Sequence, residues 1–178
     1  MAGRLSGRKV VVLVAEGFED LEFWVTVMRL REEDAEVTVA GLTTQPVHGQ
    51  HGLQAQADVD VATTSADNVD AVVVPGGWAP DKLRRSEAVK DLVRKAHDQR
   101  KIVGMICHAG LVGISAGIVA GRPATGSLGI KDDLINAGAT WVDRPAFRDG
   151  TLVWGRVVAD IPDFCRELVA AIASQPPN

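Results

Sequence analysis

Gly104-Met-Ile-Cys-His-Ala-Gly110 closes an apolar run that begins at Lys101 and opens onto Leu111-Val-Gly-Ile-Ser-Ala116. The first half reads as a strand and the second as a helix, so Cys107 falls on a sharp strand-to-helix turn, the arrangement of a nucleophile elbow. Such a turn lifts its central side chain above a sheet, and flanking glycines let the backbone pack closely around it. A helix N-terminus behind the thiol favours the anion through unpaired amides and the dipole, which predicts a lowered thiol pKa. The competing description is a small buried hydrophobe, the ordinary state of free cysteine. Cys165 illustrates it: in Pro162-Asp-Phe-Cys-Arg-Glu-Leu-Val-Ala170 it shares the apolar side of a helix with Phe164, Leu168 and Val169 and is expected to be inert.

Outward from the elbow, strands and helices alternate. Val10-Val-Val-Leu-Val-Ala15, Glu36-Val-Thr-Val-Ala-Gly-Leu42, Asp70-Ala-Val-Val-Val-Pro75 and the late Thr151-Leu-Val-Trp-Gly155 have the apolar, β-branched pattern of strands, most of them covered on both faces. Leu21, Trp24, Val25, Met28 and Leu30 recur near helical spacing, as do Val89, Leu92, Val93 and Ala96 within Ser86 to Gln99. Further helices are expected from about Ala109, over Lys131 to Ala137 and over Pro162 to Ser174. Val47 to Val61 reads as a hairpin or extended excursion. This order implies right-handed crossovers and a mostly parallel sheet between helix layers, with ligands bound at the carboxyl ends of strands. Three such ends stand out, at residues 15–22, 75–81 and 107–110.

The chain of 178 residues suits a single domain, 1–178, and its 46% hydrophobic and 24% charged residues are those of a globular protein. A net charge of −4 excludes the broad basic surface that nucleic acid or an anionic membrane would require. The apolar runs are strand-sized, far short of the roughly 20 residues of a membrane span. No secretory leader is recognisable, and two cysteines in differently patterned segments suit a reducing compartment, so a cytoplasmic location is expected.

His108 is the obvious base beside Cys107, but consecutive residues at a helix start point about 100° apart, so adjacency alone does not settle its role. His48, His51 and His97 read as solvated, and no cluster has zinc-like spacing. Glu16-Gly-Phe-Glu-Asp-Leu-Glu22 carries four carboxylates suited to capping a helix, and one held near a thiolate would gain a raised pKa and act as proton donor or base. Spacing does not say which one. Pro75-Gly-Gly-Trp-Ala-Pro-Asp81 offers the amides of Gly76 and Gly77, with that of Ala109 at the elbow, as an oxyanion site; the alternative is a plain turn.

Together with Ser115-Ala-Gly117 and Gly129-Ile-Lys-Asp-Asp-Leu-Ile-Asn-Ala-Gly-Ala-Thr-Trp-Val-Asp143, these segments resemble the PfpI branch of the ThiJ/PfpI superfamily over nearly the whole chain. The resemblance implies a flavodoxin-like three-layer α/β/α sandwich with a cysteine elbow of the class I glutamine amidotransferase type. It implies Cys107 as nucleophile and oxidation-sensitive thiol, His108 as the histidine that follows it, and Glu22, with Glu19 in reserve, as the carboxyl bonded to the thiol. Asp81 takes the place of an acid, usually glutamate, that reaches the histidine of a neighbouring subunit in peptidase-like members. Ser127 stands where those members carry tyrosine, and His108-Ala-Gly110 replaces the commoner His-Gly-Pro, so peptidase activity does not transfer simply.

The resemblance further implies a stress enzyme without a cofactor, of glyoxalase III-like or deglycase type, acting on dicarbonyls or early glycation adducts. An intracellular cysteine peptidase and a redox sensor or chaperone using Cys107 oxidation are the alternatives. Expected partners are small carbonyl compounds or peptides and further copies of the chain, in a homodimer or hexamer.

Overall fold

The computed structural model describes residues 2–176. Met1 and residues 177–178, the ends of the expected 1–178 domain, lie outside the described residues. In chain order the strands are β1 (Lys9–Val14), β2 (Glu36–Gly41), β3 (Val47–His48), β4 (Gln54–Ala55), β5 (Val59–Asp60), β6 (Ala71–Val74), β7 (Ile102–Ile106), β8 (Pro123–Ala124), β9 (Thr140–Trp141), β10 (Ala146–Asp149) and β11 (Leu152–Gly155). The α-helices are α1 (Asp20–Glu32), α2 (Ala79–Leu83), α3 (Glu87–Asp98), α4 (Gly110–Ala116), α5 (Lys131–Asn136) and α6 (Ile161–Ala173).

Seven strands form one sheet in the order β10-β11-β7-β6-β1-β2-β5. Every pairing in it is parallel except β10 with β11. Val12 stands beside Val39 and Val73, and Gly104 between Val73 and Val153. All residues of β6, β7 and β11 are buried, which is why these strands read as continuous apolar runs rather than alternating ones. Helix α3 turns Val89, Leu92, Val93 and Ala96 to the sheet behind the cap of Ser86, and α6 turns Phe164, Leu168, Val169 and Ile172 inward. Apart from Ala96, each such side chain contributes about 1.5–3 kcal/mol on burial. Below the sheet, Arg8 pairs with Asp70 at 3.3 Å and donates to the carbonyls of Gln175 and Pro176, tying β1 to the end of α6.

The excursion after β2 resolves into the antiparallel hairpin β3–β4 and the edge strand β5. Helix α1 forms as expected, but its core face differs. Glu22, Phe23, Thr26, Val27 and Leu30 are buried, while Leu21, Val25 and Met28 are exposed. The apolar spacing marked the helix and not its inward side, because inward positions carry polar groups, Glu22 at the site and Thr26 against Cys165. Cys165 is buried 3.8 Å from the Thr26 hydroxyl, as its pattern predicts. His97 is not solvated: it is half-buried on α3, and burial lowers its pKa.

Candidate active site

The ends of β1, β6 and β7 converge on Cys107. Its backbone has φ 61°, a left-handed conformation rare outside glycine that costs about 1–2 kcal/mol and places Sγ above the sheet. The turn is held from outside: the Ser127 amide donates to the Cys107 carbonyl at 3.1 Å. Behind it a short 3-10 turn, Cys107–Ala109, leads into α4.

Beneath the thiol, Glu22 projects from the first turn of α1 with 0% exposure. Its Oε2 accepts the Gly76 amide at 2.7 Å. Its Oε1 is buried without a hydrogen-bond partner, and the carboxyl group as a whole lies close enough to the Cys107 thiol for the two to interact. Burial, supplemented by the Glu19 carboxylate and opposed by the Gly76 amide, raises the Glu22 pKa to about 7. Burial and then the Glu22 carboxylate push the thiol up to about 12, against the amides of His108 and Gly77. The lowered thiol pKa expected from the helix N-terminus is therefore overturned: the amides are present, and desolvation with a neighbouring carboxylate outweighs them. Near pH 7 the pair therefore passes from two protons to one, the carboxyl ionising before the thiol, and the remaining proton lies between Glu22 and Sγ.

His108 lies with Nδ1 3.3 Å from Sγ, so adjacency here does become contact. Burial lowers its pKa and leaves the imidazole neutral, able to accept a proton. The far side of the ring reaches Gly129, where Nε2 would lie 3.2 Å from an added Cβ.

The four carboxylates of the acidic segment divide their work. Glu16 accepts the His48 amide at 2.8 Å. Glu19 caps α1 through the Glu22 amide at 2.8 Å, so it supports the thiol's partner rather than replacing it. Asp20 accepts the amides of His51 and Leu53 at 2.8 and 2.7 Å and holds the β3–β4 hairpin against the site. Only Glu22 faces Cys107.

Three expected site residues are placed differently. Asp81 sits in the first turn of α2 with its side chain 56% exposed and paired with Arg85, so within this chain it does not serve His108. The single N–H of Gly76 is engaged by Glu22 and is not free for an oxyanion. The elbow amide that faces the thiol is that of His108, one residue before Ala109. Gly77, with φ 79°, does turn its amide toward Sγ. The next residue, Trp78, is 67% exposed at the rim, its side chain against Gly17. Sequence reasoning passed over the amides of His108 and Ser127, since backbone donors leave no residue-type signature. Among the described residues, no group of three or more His, Cys, Asp or Glu side chains is arranged to hold a metal ion.

A mostly parallel α/β/α sandwich whose cysteine leaves a strand with positive φ above a buried carboxyl is a flavodoxin-like protein with a cysteine nucleophile elbow. The chain belongs to the DJ-1/PfpI family, whose profile matches residues 8–171. It is 40% identical over 161 residues to Deglycase PH1704 of Pyrococcus horikoshii, covering 90% of this chain and 97% of the relative. To Deglycase PfpI of Pyrococcus furiosus it is 38% identical over the same shares. Among solved structures, Drosophila melanogaster DJ-1beta superposes with a TM-score of 0.88 at 28% identity, covering 98% of this chain and 92% of that one. A two-domain protein of Anabaena variabilis with DJ-1/ThiJ/PfpI-like and ferritin-like domains superposes at 0.91 with 34% identity, and the match spans 96% of this chain but half (50%) of that longer one. No helix among the described residues is long and apolar enough to cross a membrane.

Proposed function

We propose that this chain is a cofactor-independent, cysteine-dependent enzyme that converts reactive dicarbonyls, or the early adducts they form on proteins, to hydroxy acids. The observation that carries this reading is the juxtaposition of the Cys107 thiol with the fully buried Glu22 carboxyl on one side and His108 Nδ1, 3.3 Å from the thiol, on the other. The deglycase names of the Pyrococcus relatives point the same way.

With methylglyoxal, the thiol proton passes to Glu22 as Sγ bonds to the aldehyde carbon. Glu22 then gives that proton to the carbonyl oxygen, regenerating its carboxylate, and the product is a hemithioacetal. The amides of Gly77 and His108, which face Sγ, are placed to stabilise the developing oxyanion. His108 takes the proton from the former aldehyde carbon and the resulting enediol is reprotonated at the adjacent carbon. The first carbon is oxidised by two electrons and the second reduced by two, so no external redox partner is needed. Water cleaves the thioester, releasing lactate and the thiol.

Peptidase chemistry has less support, because the acid it would use, Asp81, is engaged with Arg85. The outward apolar face of Leu21, Val25, Met28 and Leu53 supports assembly into a homodimer or larger oligomer. Two free thiols suit a reducing, cytoplasmic setting.

The test is lactate formation from methylglyoxal without glutathione, followed by NMR for the native protein and Cys107→Ser. Conversion by the native protein alone is expected. No conversion by either would shift the reading to peptidase or redox sensor.

A further inference from the structure

The hairpin β3–β4 is not needed to build the elbow, yet it is fastened to the start of α1 with unusual care. Asp20, 2% exposed, binds two of its amides, the Gln50 amide donates to the Phe18 carbonyl at 2.9 Å, and the Gly17 amide donates to the His48 carbonyl at 2.8 Å. The consequence of this anchoring is the position of one side chain. His51 Nε2 lies 3.7 Å from Oε1 of Glu19, the buried carboxylate whose other oxygen caps α1 at Glu22. Among the described residues no other cationic side chain pairs with Glu19.

We propose that His51 is a positioning residue of the active site, whose imidazole sets the charge balance of the buried Glu19–Glu22 carboxylates and so decides when the Cys107–Glu22 pair releases its first proton. This rests on the reading of Cys107 and Glu22 as the reacting pair. Glu19 disfavours ionisation of Glu22 by like charge, and a cation beside Glu19 offsets that effect. The offset is an ion-pair effect across the 3.7 Å contact, present while the ring carries its proton. The other charged or titratable groups around this locus are Glu16 from the loop entering α1, Asp20 from its first turn, His48 from the hairpin, Lys82 of α2 on the Glu16 carbonyl, and Cys107 and His108 from the elbow.

The readout is the pH profile of Cys107 alkylation by iodoacetamide, followed by peptide mass so that buried Cys165 is scored apart. Native protein, His51→Ala and His51→Lys are compared at low and high salt. Because the hairpin is held by the backbone of residue 51, both variants are expected to keep the native melting temperature. His51→Ala should move the profile midpoint up, and His51→Lys down, by about 0.2–0.7 pH unit, the scale of a partly exposed ion pair. High salt should shrink both displacements. Reciprocally, Glu22→Gln should lower the midpoint of the His51 ring proton signal in NMR. Coincident alkylation midpoints for the three proteins, or a His51 midpoint indifferent to Glu22→Gln, would overturn the proposal. Alkylation requires no dicarbonyl turnover, so a protein inactive on methylglyoxal with a His51-dependent profile would sink the proposed function and leave this inference standing.

Discussion

The amide of Gly76 and the carboxylate of Glu22 meet at 2.7 Å, and through this contact the end of β6 orients the first turn of α1 toward Cys107. The approach leaves no room for a side chain. A Cβ on Gly76 would lie 2.5 Å from Glu22 Oε2 and 2.7 Å from the Cβ of Cys107. Gly76→Ala is therefore expected to destabilise the protein by about 1–3 kcal/mol and to displace the carboxyl from the thiol. Urea unfolding read beside Cys107 alkylation checks both; an unchanged midpoint with unchanged alkylation would refute the close approach.

Glu22→Gln separates thiol reactivity from turnover. Removing the carboxylate charge takes away the second-largest cause of the raised thiol pKa, so alkylation at pH 8 should become faster than in the native protein. Turnover should fall by about 10²–10⁴, because the proton carrier is lost. A parallel fall in both rates would show that Glu22 acts on the thiol in some other way.

Stability should also depend on Glu22. Its folded pKa of about 7 lies above the ordinary 4.5, so the folded state binds this proton more tightly than the unfolded chain does. The resulting stabilisation is complete below pH 4.5 and is lost as pH rises through 7, a decline of about 3 kcal/mol. Urea midpoints between pH 5 and 8 should fall less steeply for Glu22→Gln than for the native protein. Equal slopes would place the raised pKa in doubt.

Met28 is 61% exposed in the middle of the outward face of α1. Met28→Asp should leave the fold intact and reduce the oligomeric mass measured by size exclusion with light scattering. A native protein that is already monomeric would remove the case for assembly through this face.

The sheet was legible because its central strands are covered on both sides and leave unbroken apolar runs, Val10–Val14, Ala71–Val74 and Ile102–Ile106. The edge strands were not. β5 is two residues long, and β10 is Ala-Phe-Arg-Asp with only Phe147 buried, so neither carries a strand-like pattern. Cys107 could be placed on its turn from the run before it and the glycines around it. Glu22 could not be chosen among four carboxylates by spacing, and only the resemblance favoured it. The direction of the thiol pKa was missed for a related reason: helix ends are visible locally, whereas desolvation is imposed by segments distant in the chain. Asp81 could be assigned a role only through the resemblance, because the histidine it would serve belongs to a neighbouring subunit; within the chain the five-residue helix that carries it directs it to Arg85, four residues on.

Trp78 follows directly on the amide that faces the thiol, and its indole lies largely in solvent, whereas Trp154 is 1% exposed in the core. The protein thus carries its own optical probe. A compound captured at Cys107 is expected to alter the surroundings of Trp78, the most exposed of the four tryptophans, more than those of buried Trp154. Occupancy of the site can then be followed as a quench or blue shift of the red edge of the emission, with no label attached and no turnover required.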